Sequence, residues 1–215
     1  EDVIKPAFTA GRGVALEYNN DAPLTIQYLV SHCWDEDVSS FFDDVLSIPC
    51  SDHAPLFICF LCVFQGTSEE IDLQVTQGGF SIMDGCFAQI ISSMAELRAK
   101  RGLGLMYVVP NEQLKSNGQG LYSWLWCAWE VYNCVTSGLP INLQPPGKAT
   151  QKHLFGEASD AFSAREGHCG PPATWGNKDE LQIKAAVERN VGWPHIDQVI
   201  RDVSRWGAAN IFMFS

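Results

Sequence analysis

The sequence predicts an α/β fold built on a parallel sheet with right-handed crossovers. Three segments, 24–33 (LTIQYLVSHC), 56–64 (LFICFLCVF) and 103–109 (LGLMYVV), are apolar on both faces rather than alternating. Strands of that kind lie in sheets covered by helices on each side. The stretches between them carry helical spacing, and strands that alternate with helices pair in parallel.

The elements follow in order. Residues 1–23 are weakly patterned and read as an N-terminal extension, with Gly11-Arg12-Gly13 and Asn19-Asn20-Asp21 as turns. After the first strand, residues 37–48 place Val38, Phe41, Phe42 and Val45 on one helical stripe. Asp35, Glu36 and Asp37 precede that stripe, where carboxylates suit the positive end of the helix dipole. Pro49 closes it. The second strand spans 56–64, residues 65–79 read as loop, and 80–101 as a helix ended by basic residues and Gly102. The third strand, 103–109, stops at Pro110-Asn111, and a turn at Asn117-Gly118 leads into a helix over 121–137 with Gly138 as its cap. Residues 140–143 read as a short fourth strand.

From Gln144 onward turn formers dominate, around a short helix expected at 157–165. Asn177-Lys-Asp-Glu180 resembles a capping box for a helix to Arg189. Pro194 opens another, with Ile196, Val199, Ile200 and Val203 on one stripe and Gly207 as its stop. The tail, 208–214, reads as a small edge strand. The organisation is an extension over 1–23, an α/β core over 24–143, and a loop-rich, helical C-terminal extension over 144–215 packed on the core.

Composition narrows the function classes. A formal charge of -11 repels phosphate backbones, and no Lys/Arg cluster offsets it, so no nucleic-acid partner is expected. The longest apolar run, 55–64, is too short to span a bilayer, which leaves peripheral association as the membrane option. Eight scattered cysteines among apolar neighbours read as reduced thiols used as small hydrophobes. That usage places the chain inside the cell, in the cytoplasm or in an organelle after loss of a targeting peptide, and not among secreted proteins. Cys59-Phe-Leu-Cys62 has redox-motif spacing, but within a strand the two thiols point to opposite faces, so no metal site is expected. The glycine pairs fit no phosphate-loop fingerprint, and no cofactor is expected.

Two stretches carry chemistry. Ser31-His32-Cys33-Trp34 lies at the carboxyl end of the first strand, the edge where open α/β sheets bind ligands. Alternation lets at most two of these line one wall; packed otherwise, His32 and Cys33 sit under the next helix while the acids cap it. The second stretch, 123–134 (SWLWCAWEVYNC), places Glu130 on a helix face with Ser123, Trp126, Cys127 and Cys134. A carboxylate there must find a partner, protonate or reach a cleft. It serves either as a structural acid or as a group stabilising a cationic transition state. A nucleophilic pair of Cys33 or Cys127 with one of the histidines has no local signature behind it.

Taken together, Tyr28-Leu-Val-Ser31-His-Cys-Trp-Asp35-Glu36-Asp37 and Trp126-Cys127-Ala-Trp129-Glu130 resemble the Toll/interleukin-receptor (TIR) family. The wording is closest to TIR-like proteins of unicellular algae. The resemblance covers about 24–143 and implies a flavodoxin-like sheet with helices on both faces. In TIR domains that cleave NAD, the acid of the second motif is essential, which implies a catalytic role for Glu130 with Ser123 upstream. Ser31, Trp34 and Trp126 would then border the ligand. Many TIR domains do no chemistry. The first expectation is therefore a non-catalytic interaction or structural subunit of a larger assembly, such as an organelle complex, contacting other subunits or itself through exposed tryptophans and loops. The alternative is an NAD glycohydrolase for which NAD is the substrate.

Overall fold

The computed structural model describes residues 12–19, 22–34, 36–75, 85–110, 120–143, 154–155, 162–169 and 176–206. After a short helix, α1 (Val14–Tyr18), its centre is a four-stranded, all-parallel sheet of β1 (Tyr28–Ser31), β2 (Leu56–Ile58), β3 (Leu105–Val108) and β4 (Ile141–Leu143), in the order β2-β1-β3-β4. Tyr28 pairs with Leu56 on one side and Leu105 on the other, and Met106 pairs with Ile141. This is an α/β flavodoxin-like arrangement, in which the order runs outward in both directions from β1.

The two apolar faces read from the sequence fill two separate cores. Leu29, Phe57, Met106, Val108, Ile141 and Leu143 point to one face. There they meet α5 (Cys86–Arg101), α6 (Leu125–Thr136) and α8 (Trp193–Trp206). The alternate residues Val30, Ile58, Tyr107 and Val109 point to the other face, against Phe41 and Val45 of α2 (Val38–Leu46). The strict alternation of one strand between two cores is what a doubly covered parallel sheet requires.

Helix ends follow local chemistry. Asp37 caps α2, its carboxylate accepting the Ser40 N–H at 2.8 Å. Asn177 caps α7 (Lys178–Asn190) by accepting the Glu180 N–H at 2.8 Å. Gly102 and Gly138 follow α5 and α6 with φ of 70° and 71°, a left-handed conformation that costs a glycine little. On α5, Phe87, Ile91 and Met94 form the buried stripe, and on α8 it is Ile196, Ile200 and Val203.

Several expectations need correction. The second strand ends at Ile58, and Cys59–Cys62 turns into a short helix, α3, so the two thiols lie three positions apart along a helical turn rather than on opposite strand faces. Residues 65–79 are not simply loop, because Ser68–Val75 forms α4. There Gln74 bonds the Phe64 backbone at both its N–H and its carbonyl. In α2, Val38 is exposed and the buried stripe falls on Phe41 and Val45. Ser123 lies in a separate 3-10 turn, Leu121–Ser123, ahead of α6. Residues 1–11, the start of the helix expected from 80, the Asn117-Gly118 turn, most of 157–165 and the tail at 208–214 lie outside the described residues.

The C-terminal extension is stitched to the core by backbone. Leu125 N–H donates to the His168 carbonyl at 3.1 Å, and His168 N–H donates to the Ser123 carbonyl at 2.9 Å. Asp197 of α8 accepts from the Ala164 N–H at 2.7 Å and the Ser163 hydroxyl at 2.8 Å. These contacts fix the strip 162–169 beside the start of α6.

A candidate active-site cleft at the end of the first strand

The alternation that sorts β1 between two cores continues past its end and sets the site. Ser31 points toward α6, where its hydroxyl donates to Glu130 Oε2 at 2.5 Å. Glu130 is 6% exposed and stands among Cys127 and Cys134, both fully buried thiols. Burial raises the Glu130 pKa to about 7, against the opposing pull of the Ser31 hydrogen bond and the His32 charge. Cys127 donates its thiol hydrogen to the His32 carbonyl at 3.3 Å, and Cys134 donates to the Met106 sulfur at 3.0 Å. Burial, then Glu130, pushes both thiols well above the ordinary range, which keeps them protonated and inert.

His32 points the other way. Its ring packs against Phe41 at 4.6 Å and edge-on to Phe60 at 5.2 Å between centroids. Nδ1 lies 2.6 Å from Glu36 Oε1, and Nε2 lies 3.5 Å from Cys59 Sγ. Burial opposes a charge on this ring, but Cys59 and Glu36 outweigh it and raise the pKa to about 10. Glu36 therefore turns inward to the imidazole instead of capping α2, and its own pKa is raised by burial in spite of that partner.

A cleft of about 160 Å³ opens at this edge of the sheet. His32, Trp34, Cys59, Trp126, Glu130 and Asp179 are among its walls. Trp34 stands at the rim, 56% exposed, while Trp126 is half-buried and packs on Phe87 at 5.2 Å. Of the residues singled out in the sequence, Ser31, Trp34, Trp126 and Glu130 are brought together. Ser123 is not: its hydroxyl donates to the Gly120 carbonyl at 2.6 Å, and the hydroxyl beside Glu130 belongs to Ser31. Trp124 and Trp129 are buried, so they offer no exposed contact surface.

Four participants escape sequence reading. Cys59 reads as part of a strand, and its helical turn brings it to the imidazole. Glu36 reads as a capping acid. Asp179 and Cys169 come from the extension, and no local pattern in 144–215 announces a wall of this cleft. Among the described residues, no group of three or more His, Cys, Asp or Glu side chains is placed to hold a metal ion. No helix among them is long and apolar enough to cross a membrane.

No protein-family model, curated protein or solved structure matches this chain.

Proposed function

We propose that this chain is a TIR-like domain that hydrolyses the N-glycosidic bond of NAD, with Glu130 as its essential acid. The observation behind this reading is the Ser31–Glu130 pair on the wall of an open cleft: a nearly buried carboxylate, oriented by one hydroxyl at 2.5 Å, that still reaches solvent-accessible space. As the C1′–N bond breaks, its electron pair goes to the pyridinium nitrogen and nicotinamide leaves neutral. The ribose acquires oxocarbenium character, which a fixed carboxylate in a low-dielectric site stabilises strongly. Water then adds to C1′, and its spare proton passes to solvent.

The cleft is smaller than the roughly 300–1,000 Å³ of a site that encloses a drug-sized ligand. It therefore takes the nicotinamide–ribose end, with Trp34 at its rim for ring contact. The ionised form of Glu130 is the working form, so turnover rises with pH through about 7. Purified protein incubated with NAD should release nicotinamide, and Glu130→Ala should lower the rate at least about 100-fold. A folded wild type that releases none sinks the catalytic reading.

A second reading, an interaction subunit binding other subunits or itself, is favoured by a different observation. Trp34, Val38 and Leu46 are 56%, 63% and 82% exposed along the loop and helix that follow β1. Exposed apolar side chains on one element mark contact surfaces when they group together. Sedimentation of wild type against Val38→Glu/Leu46→Glu tests it: a monomer in both cases removes self-association.

A further inference from the structure

We propose that Cys59 is a nucleophilic thiol of the cleft, with His32 as its proton partner and Glu36 holding the imidazole. Its reactants would be small soft electrophiles, disulfides of low-molecular-mass thiols foremost.

Three segments converge to build it. The end of β1 supplies His32, the loop before α2 supplies Glu36, and the turn from β2 into α3 supplies Cys59. The chain of contacts is Glu36 Oε1 to Nδ1 at 2.6 Å, then Nε2 to Sγ at 3.5 Å. His32 and Glu36 side chains are 3% and 8% exposed, so the ring is held in one orientation and cannot turn to water. With Nδ1 committed to the carboxylate, Nε2 faces sulfur. A base within reach of a thiol, itself oriented by a third group, is the arrangement that activates a cysteine nucleophile.

Access separates Cys59, 8% exposed, from Cys127 and Cys134, and the imidazole at Nε2 separates it from the half-buried Cys62, Cys86 and Cys169. Cys59 lines the cleft, whereas Cys127 and Cys134 are sealed and spend their thiol hydrogens on the His32 carbonyl and the Met106 sulfur. Burial raises the thiols of Cys62 and Cys86, Cys86 to about 11, which makes them slow nucleophiles at neutral pH. The charge on His32, favoured by Cys59 and Glu36 over the opposition of burial, agrees with a ring that donates from both nitrogens. The titratable groups acting on this imidazole are Cys59, Glu36 and Glu130, and Asp44 acts in turn on Glu36.

The step is a thiol–disulfide exchange. The Cys59 sulfur attacks one sulfur of the small disulfide, that S–S bond breaks, and a mixed disulfide forms. The displaced thiolate takes the proton from His32 Nε2. Cys59 is oxidised and half of the reagent is reduced, so the electrons balance. The adduct fills the cleft beside Glu130. Glu130 takes no bond-making or proton-transferring part in this exchange, although its charge acts on the imidazole.

The experiment alkylates the folded protein with iodoacetamide and follows each of the eight cysteines by mass spectrometry. Cys59 should react at least about 10-fold faster than Cys62 and Cys86, and 2-hydroxyethyl disulfide should place its adduct on Cys59 first. His32→Gln should lower the Cys59 rate about 10-fold. Glu36→Gln should lower it less and shift its pH profile, a change that loss of packing alone would not produce. Wild-type labelling in which Cys59 is no faster than Cys62 or Cys86 overturns the proposal without any variant. So does an unchanged Cys59 rate in His32→Gln of native circular dichroism. Labelling is read in the absence of NAD and needs no turnover, which separates this result from any failure of the nucleosidase reading.

Discussion

Two carboxylates of this protein are equally hidden and behave in opposite ways. Glu130 in the cleft and Glu180 in the C-terminal extension are 6% and 4% exposed. Glu130 receives one neutral hydroxyl, and burial raises it to about 7. Burial also pushes Glu180 upward, but Lys184 at 2.9 Å, the Gly176 N–H and His168 at 3.1 Å outweigh it, and its pKa falls below the ordinary value. Depth alone does not set the character of a buried acid; the number and charge of its donors do. Glu180 is built as an anchor, tying His168 and the strip it belongs to onto α7. Glu130 is left under-supplied, as a group held ready for chemistry is.

The comparison gives opposite signs of pH dependence. Glu130 has a folded pKa above its unfolded one. The stability tied to its neutral form is fully present below about 4.5 and is lost as pH rises through about 7. The difference amounts to about 3 kcal/mol by pH 8. Glu130→Gln keeps the shape and removes the ionisation. In urea unfolding the variant should match wild type near pH 5 and exceed it by up to about 3 kcal/mol at pH 8. Equal stabilities at both pH values would show that solvent or an internal cation already compensates the charge.

Glu180 should show the reverse. Its depressed pKa contributes stability that is present above the ordinary carboxylate range and lost as pH falls through the folded value. Neutralising it by Glu180→Gln should cost about 2 kcal/mol at pH 7, much less at pH 3. Lys184 and His168 are about a quarter exposed, which lets water absorb part of the loss. Proteolysis near 162–169 should accelerate in the same variant, because His168 loses the Glu180 carboxylate while keeping its backbone bonds to Ser123 and Leu125. Unchanged cleavage would mean that the backbone bonds alone hold the strip.

How legible this contrast was in the sequence depends on the range of each interaction. The sheet was readable because β1 and β3 are apolar on both faces, a property of each segment by itself. The caps were readable because Asp37 and Asn177 act three residues away. Glu180 was legible only as a capping-box residue; its real partners include His168, twelve positions earlier. Glu130 could be singled out because a carboxylate among Trp and Cys is chemically incongruous, yet its hydroxyl partner could not. The helical repeat nominated Ser123, and the bond is made by Ser31, 99 positions away, because β1 lies under α6. Cys59 was hidden by a true signal misapplied. The apolar character of 56–64 continues past the strand, but the backbone turns helical at Cys59 and carries the thiol to the imidazole.

The smallest expected effect probes that pairing most directly. Ser31→Ala removes the neutral donor from Glu130 and leaves the carboxylate with burial and the more distant His32 charge. A hydroxyl bonded to an ionised oxygen favours the ionised form, so its loss moves the Glu130 pKa further above 7. The variant should be about 1 kcal/mol less stable at pH 8, and closer to wild type at pH 5, where the carboxyl is neutral. The pH at which stability declines should shift upward, and the rising limb of any NAD turnover should shift with it. A midpoint that stays in place assigns the orientation of Glu130 to its packing among Cys127 and Cys134. A midpoint that moves shows that a hydroxyl from the end of β1 sets the ionisation of an acid on α6, which places the working edge of the site at the strand rather than on the helix.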